Sequence, residues 1–479
     1  MLFRRFYDDN LAQASYMIAC QETREAIIVD PNADIGLYTR AAGADRMRIT
    51  HVTETHIHAD FVSGALALAE SAGAALHLSG EGDPKWSYIP SVLDASEALK
   101  DGDEIRFGRV RLRALHTPGH TPEHLTFLVF DLARGDDPVG ALTGDFVFVG
   151  DVGRPDLLEK AVGATNTMVD SARHLYRSLR KFAALPDYLQ LWPGHGAGSA
   201  CGKSLGSMPQ STLGYEKMFN WAFAPMTEDQ FVEKVLEGQP VPPKYFAAMK
   251  AINRSGERQP KTSSPKFLGS DDLESAVKKG ATLVDTRTVQ KYAAGHLPGT
   301  LNIPLGKSFL GWSGALVPTR GEFSIVTDRA GDEAVKEILA ELCKIGLTAV
   351  RGIFHSDLLD DWKSRHGELE RVAQVDADQL KAMTAQGNVQ VIDVRNPDEW
   401  AGGHLPGAMH IPLAALPDKL DELDRSTPVV LQCQGGERSA IATSLLQSRG
   451  MSNVANLAGG YEEWVRKGFP VTAEMSATK

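Results

Sequence analysis

Near its C-terminal end the chain repeats itself. VDTRTVQKYAAGHLPGTLNIPL from Val284 and IDVRNPDEWAGGHLPGAMHIPL from Ile392 are one phrase written twice, at an offset of 108 residues. Stacked repeats have periods of roughly 20–50 residues, so this spacing means two tandem copies of one small domain. Each copy opens with a β-branched run ending in Asp and Arg: Asp285 and Arg287, then Asp393 and Arg395. A helix-like stretch leads to GHLPG, and a further apolar run (SIVTD or PVVLQC) precedes an Ala- and Leu-rich helix. Strands alternating with helices predict α/β domains built on parallel sheets.

The repeats fill less than half of the 479 residues. At about 150 residues per domain the length predicts roughly three domains. INRSGERQPKTSSPK, Ile252 to Lys266, lacks apolar periodicity and reads as a linker. A second boundary falls near Glu368 to Val375. The expected domains are therefore 1–255, 256–368 and 369–479. A formal net charge of −11 argues against nucleic acid and anionic membranes as partners. No apolar run approaches the ~18 residues of a membrane helix, and Asp8, Asp9 and Asn10 interrupt any leader-like segment. A cytoplasmic protein is expected. Its four cysteines are far apart, without a C-x-x-C pair, and are expected reduced, with Cys20 and Cys343 in the core.

Before the repeats, His and Asp clusters follow apolar runs: THIHAD (His56, His58, Asp60), HTPGHTP (His116, His120), LTGD (Asp145) and WPGHG (His195). Residues at strand ends can converge on one edge of a sheet sandwich, where a metal site assembles. A lone histidine is usually structural, but this ordered set points to metal, with His116 the member best explained by packing.

The series resembles the metallo-β-lactamase superfamily, in particular its glyoxalase II and persulfide dioxygenase branches, over roughly residues 1–255. The resemblance implies an αβ/βα sandwich with a metal at one edge. In the two-metal hydrolases of this superfamily the phrase H-x-H-x-D-H supplies a histidine to the second ion; here Phe61 stands in its place. Persulfide dioxygenases hold one ferrous ion on two histidines and a carboxylate, which map to His56, His120 and Asp145. Such a face leaves positions open for a sulfur ligand and O2. His58, Asp60 and His195 are then expected to orient those ligands. Arg154, in DVGRPD, is expected to position a loop or attract a substrate carboxylate. In PGHGAGSACGKSLG, Cys201 reads as a packed thiol or a persulfide acceptor, and Lys203 is expected near an anionic group.

In the second repeat, PVVLQ runs into CQGGERSA. A cysteine between a strand and a helix, among backbone N–H groups and the positive end of the helix dipole, is placed to act as a thiolate nucleophile. With IDVR and GHLPGA this resembles a rhodanese domain. Cys433 would carry the persulfide sulfur and Arg438 would help Gln434, Gly435, Gly436 and Glu437 hold anionic sulfur species. In the first repeat Asp328 aligns with Cys433, and a carboxylate forms no persulfide, so that copy is expected to be catalytically silent.

These resemblances imply an enzyme of sulfide detoxification. One Fe(2+) per chain would serve to oxidise a thiol persulfide of glutathione or coenzyme A type with O2 to sulfite. The rhodanese would move sulfur to or from thiosulfate, and a homo-oligomer is expected. The alternatives are a binuclear zinc thioester hydrolase fused to a sulfurtransferase and a noncatalytic persulfide sensor.

Overall fold

Two six-stranded sheets form the N-terminal unit of the computed structural model, which describes residues 1–161, 163–203, 205–257 and 266–473. The first sheet is β1 (Leu2–Asp8), β2 (Gln13–Cys20), β3 (Glu25–Val29), β4 (Arg48–Thr53), β5 (Ala75–Ser79) and β6 (Glu97–Leu99), in that spatial order. β1 to β3 are antiparallel, and β3 to β6 parallel. The second sheet contains β7 (Glu104–Phe107), β8 (Val110–His116), β9 (Leu125–Asp131), β10 (Gly140–Gly144), β11 (Gln190–Pro193) and β12 (Ser211–Thr212). It is antiparallel except where β10 meets β11.

The period-2 rule of strands explains the layering. In β2, Ala14, Tyr16, Ile18 and Cys20 face the core between the sheets, where Leu112, Phe127, Leu142 and Trp192 meet them. The intervening Met17 and Ala19 join Tyr38, Ala42 and Leu68 under the helices Ile35–Ala44 and Ala65–Ala72. β9 does the same on the other side, sending Leu128 and Phe130 to Leu175, Leu179 and Phe182 of the helix Met168–Phe182. The result is the αβ/βα sandwich.

The linker expected from Ile252 starts later than predicted. The helix Tyr245–Ser255 continues through Ile252 and stops at Gly256, whose φ of +60° suits glycine. Asn253 within it is buried, its amide donating to the carbonyls of His58 and Phe61 at 2.9 and 2.7 Å. Polarity marked a linker here because an amide that clamps a loop is indistinguishable in sequence from one in solvent. Residues 258–265 of that segment lie outside the described residues.

The chain divides into two compact units, Met1–Pro260 with Ala340–Leu347, and Lys261–Leu339 with Thr348–Lys479. In the second unit the first repeat is a parallel sheet of β13 (Thr282–Asp285), β14 (Thr300–Asn302), β15 (Phe323–Thr327) and β16 (Val350–His355), ordered β14-β13-β15-β16. The second repeat has β17 (Ala373–Val375), β18 (Gln390–Asp393), β19 (Met409–His410), β20 (Val429–Gln432) and β21 (Val454–Leu457), ordered β17-β21-β20-β18-β19, also parallel. Among the described residues no helix is long and apolar enough to cross a membrane.

Candidate functional site

Four loops leave the same edge of the sandwich. The loop after β4 carries His56, His58 and Asp60; the turn between β8 and β9 carries His120 and His124. Asp145 follows β10, and His195 follows β11. Nε2 of His120 and of His56 lie 3.4 and 3.8 Å from Asp145 Oδ2, while Nε2 of His195 lies 3.4 Å from Asp145 Oδ1 and 3.3 Å from Asp60 Oδ2. The approach is close enough that a Cβ on Gly194 would come 2.8 Å from Asp145 Oδ1.

Each imidazole is oriented from behind. Nδ1 of His120 pairs with the Arg154 carbonyl and Nδ1 of His195 with that of Ala12, both at 3.0 Å. A carbonyl accepts, so Nδ1 of each ring carries a proton and Nε2 is the atom turned into the cluster. His56 Nδ1 lies 3.0 Å from Thr55 Oγ1. Burial holds His56 well below the ordinary histidine range and pushes His120 down to about 3. Burial also raises Asp145 to about 6, against the opposing pull of His195. Both Asp145 oxygens are buried and lack a hydrogen-bond partner among the described residues. Neutral imidazoles converging on a buried, unpaired carboxylate are a donor set that suits a cation. His56, His120 and Asp145 fit a 2-His-1-carboxylate metal.

His58 points elsewhere. Its Nε2 lies 3.1 Å from Asp30 Oδ1; burial alone would lower its pKa, but Asp30, Glu54 and Asp60 raise it to about 9. Phe61 is fully buried with its ring centroid 4.3 Å from that of His58. Cys201 is buried with its Sγ near Asp60 and His195; burial first, then Asp60 and Asp145, push its thiol well up.

Of the two roles expected of Arg154 the contacts favour positioning a loop, and the anionic neighbour expected of Lys203 gives way to carbonyls. Arg154 is fully buried, paired with Asp156 at 2.7 and 2.9 Å, and donates to the carbonyls of Ala200 and Pro240. It therefore braces the segment carrying Cys201 and, through its own carbonyl, His120. Lys203 Nζ donates to the carbonyls of Lys234 and Glu237 at 2.7 Å, satisfying the end of the helix Glu228–Leu236. Among the described residues the Arg154 guanidinium is taken up by Asp156 and two carbonyls, and two of the three Lys203 ammonium hydrogens by carbonyls. His116 is half-buried and pairs with the Pro122 carbonyl.

Sequence reasoning missed His124, stacked on His56 at 5.1 Å with Nε2 accepting from the Asp145 N–H at 3.2 Å. Its place four residues after His120 was the available signal. Asp30, Asn253 and the buried Lys250, which donates to the Ile57 carbonyl, had none.

In the second repeat Cys433 directly follows β20. Its Sγ, nearly inaccessible, accepts from the Gly436 N–H at 3.1 Å and the Ser439 hydroxyl at 3.3 Å. Gly436 has φ +100° and starts the helix Glu437–Ser448. Behind the loop Gly460, at φ +56°, leaves room that a Cβ would close to 2.2 Å from the Cys433 carbonyl. The buried Asp393–Arg395 pair reaches Gln434 Oε1 at 3.4 Å, and the Gln434 amide donates to Glu462. Both terminal nitrogens of Arg438 pair with Glu399, at 2.7 and 2.6 Å, and Cys433 lies within reach of the same guanidinium; Glu399 first and Cys433 after it hold Arg438 above its usual range.

In the first repeat Lys291 takes the place of Glu399 and holds Asp328 at 2.5 Å, so an internal ion pair occupies the position of the nucleophile. The first repeat still contributes structure. Asn302 N–H donates to Ser444 Oγ in the helix behind Cys433, at 2.9 Å. A cleft of about 820 Å³ is lined by Thr288, Gln290 and Leu305 from the first repeat and Gly435, Gly436 and Glu437 from the second.

Comparison with known proteins agrees with both halves. Residues 8–195 match the metallo-beta-lactamase superfamily, and residues 376–467 the rhodanese-like domain. A solved structure of a metallo-beta-lactamase from Staphylococcus aureus is 38% identical, with a TM-score of 0.65 over 74% of this chain and 98% of that one. Human persulfide dioxygenase ETHE1 is 28% identical over 41% of this chain and 68% of its own length. A sulfurtransferase of Allochromatium vinosum is 34% identical over 21% of this chain and 96% of its own. The relatives point to enzymes of sulfur metabolism of the persulfide dioxygenase and sulfurtransferase types. The chain belongs to the metallo-beta-lactamase superfamily, as a fusion of an ETHE1-like domain with a C-terminal rhodanese-like domain.

Proposed function

We propose that the N-terminal domain is an iron(II)-dependent dioxygenase that oxidises a low-molecular-weight thiol persulfide to sulfite, and that Cys433 transfers sulfane sulfur to or from thiosulfate. The observation that carries this reading is the convergence of two neutral imidazoles and the Asp145 carboxylate, without a hydrogen-bond partner among the described residues, on one buried point. Bound there, ferrous iron would supply one-electron chemistry with O2 and open positions beside three fixed ligands. The overall change consumes one persulfide, one O2 and one water and yields thiol, sulfite and two protons. His56, His120 and Asp145 would hold the ion, and His124 steadies Asp145 through its main-chain N–H.

At the second site the Cys433 thiolate attacks the outer sulfur of thiosulfate, the S–S bond breaks, and sulfite leaves with the bonding pair. The Gly436 N–H and Ser439 hydroxyl stabilise charge on the sulfur. An oxygen electrode tests the first half, with glutathione persulfide or coenzyme A persulfide and the anaerobically iron-loaded protein. Oxygen uptake with sulfite release is expected; thioester hydrolysis without oxygen uptake would reject the reading. Cys433→Ser is expected to abolish thiosulfate turnover and leave that oxygen uptake in place.

A further inference from the structure

The N-terminal unit is not built from consecutive residues alone. It takes in Ala340–Leu347, the end of the helix Asp332–Lys344 and the turn after it. Leu342, Lys344, Ile345 and Leu347 are all buried. A lysine is buried only where its charge is met, and Lys344 Nζ donates to Asp8 Oδ2 and Glu341 Oε1, both at 2.5 Å. The other Asp8 oxygen accepts from the N–H groups of Asn10 and Leu11 at 3.0 and 3.1 Å, and Asn10 Nδ2 donates to Glu341 Oε2 at 2.8 Å. Together these contacts fix the turn after β1. That turn delivers the Ala12 carbonyl to His195 Nδ1, with Ala12 at φ +51°, a left-handed conformation that a residue with a Cβ keeps only where its surroundings impose it. The main chain of Lys344 grips a second loop: its carbonyl accepts from the Val62 N–H at 2.7 Å, two residues after Asp60. Gly346, at φ +72°, packs so closely on the helix Tyr245–Ser255 that a Cβ would come 2.7 Å from Met249 Cε, and Asn253 of that helix holds the His58 and Phe61 carbonyls.

We propose that Ala340–Leu347 is a positioning element of the metal edge and that Lys344 is the residue through which it acts: its ammonium sets the turn that orients His195, and its carbonyl sets the loop that carries His56, His58 and Asp60. The first repeat, silent at Asp328, then has a task, because its sequence supplies the segment that completes the N-terminal unit. The inference rests on those donors holding a cation and not on the oxygen chemistry.

Lys344→Met, which keeps an apolar stem and removes the charge, tests it in the full-length protein beside Asp8→Asn and the double variant. In the metal-free protein, hydrogen exchange at the amides of Leu11 and Val62 should quicken about tenfold in Lys344→Met, while the amides of β9 keep wild-type protection. Ferrous iron, loaded anaerobically, should pass to a chelator about tenfold faster, the scale of effect when groups behind metal ligands are removed. The double variant should lose iron no faster than Lys344→Met, since the two side chains act as one pair. Thiosulfate turnover at Cys433 should stay at the wild-type rate. Asp8→Asn carries the same readouts should Lys344→Met fail to fold. Unchanged exchange at Leu11 and Val62, additive iron loss in the double variant, or exchange that rises as much in β9 as in the two loops overturns the proposal. A wild-type chain that holds no iron refutes the dioxygenase reading instead, and the exchange rates still decide this one.

Discussion

Replacing Asp30 with Asn removes one charge from beneath the loop that carries His56. Asp30 has φ +53°, a conformation asparagine also tolerates, so the backbone need not move. Its carboxylate accepts from Thr55 N at 2.6 Å, Thr55 Oγ1 at 3.0 Å and His58 Nε2 at 3.1 Å. The amide keeps one acceptor and turns its NH2 towards a donor. Raising His58 from 6.5 to about 9 corresponds to about 3 kcal/mol, by linkage, shared among Asp30, Glu54 and Asp60. Charge-assisted hydrogen bonds contribute about 1.5–3 kcal/mol each, so a loss of about 2–4 kcal/mol is expected near pH 6. The folded-state pKa of His58 lies above its ordinary value. Its contribution is therefore fully present below about 6.5, declines as pH rises, and is gone above about 9. The stability gap between wild type and Asp30→Asn should thus narrow by about 2 kcal/mol between pH 6 and pH 10. Urea titration with a brief proteolysis pulse, scored on peptides of the N-terminal unit, measures that gap. A gap that stays constant across this window would refute a charged His58 paired with Asp30.

Asp145→Asn should lower iron in anaerobically purified protein at least tenfold, by metal analysis, because two imidazoles remain without their carboxylate. Glu399→Gln should free the Arg438 fork and lower KM for thiosulfate about three- to tenfold in a sulfite-release assay. Burial raises the Glu399 carboxyl, but Arg438 outweighs this and holds it below the usual carboxylate range. The pair is intact above that range and is lost as pH falls through the lowered value, so the advantage of the variant should shrink in acid. Asp328→Cys, made in a Cys433→Ser background, should restore no thiosulfate turnover, because Lys291 replaces Glu399 and Glu333 stands where Arg438 does.

The repeat, the parallel sheets around it, the ligand clusters and the Cys433 loop were all legible in the amino-acid order. Each is local: a strand, a tight loop and a helix start lie within a few residues, and strand periodicity says which end carries the chemistry. Second contacts between distant segments were not legible. Asp30 reaches Thr55 and His58, Asn253 clamps the His58–Phe61 loop, and Glu399 takes the Arg438 fork across 39 residues. Tertiary structure also gave Arg154 contacts that favour the loop-positioning member of its two expected roles and turned Lys203 towards carbonyls, since a charged side chain reads alike in sequence whether its partner is a ligand or a carbonyl.

Sequence alone determined that this chain could build a His/Asp ligand cluster and a cysteine loop on α/β scaffolds, since strand ends and glycine loops are written in consecutive residues. Only the folded arrangement decided which donors share a point in space. A thiol 140 residues beyond Phe61 arrived beside Asp60 and His195. Burial explains why this matters: away from water, unpaired carboxylate and imidazole atoms are stable only where a charge can meet them.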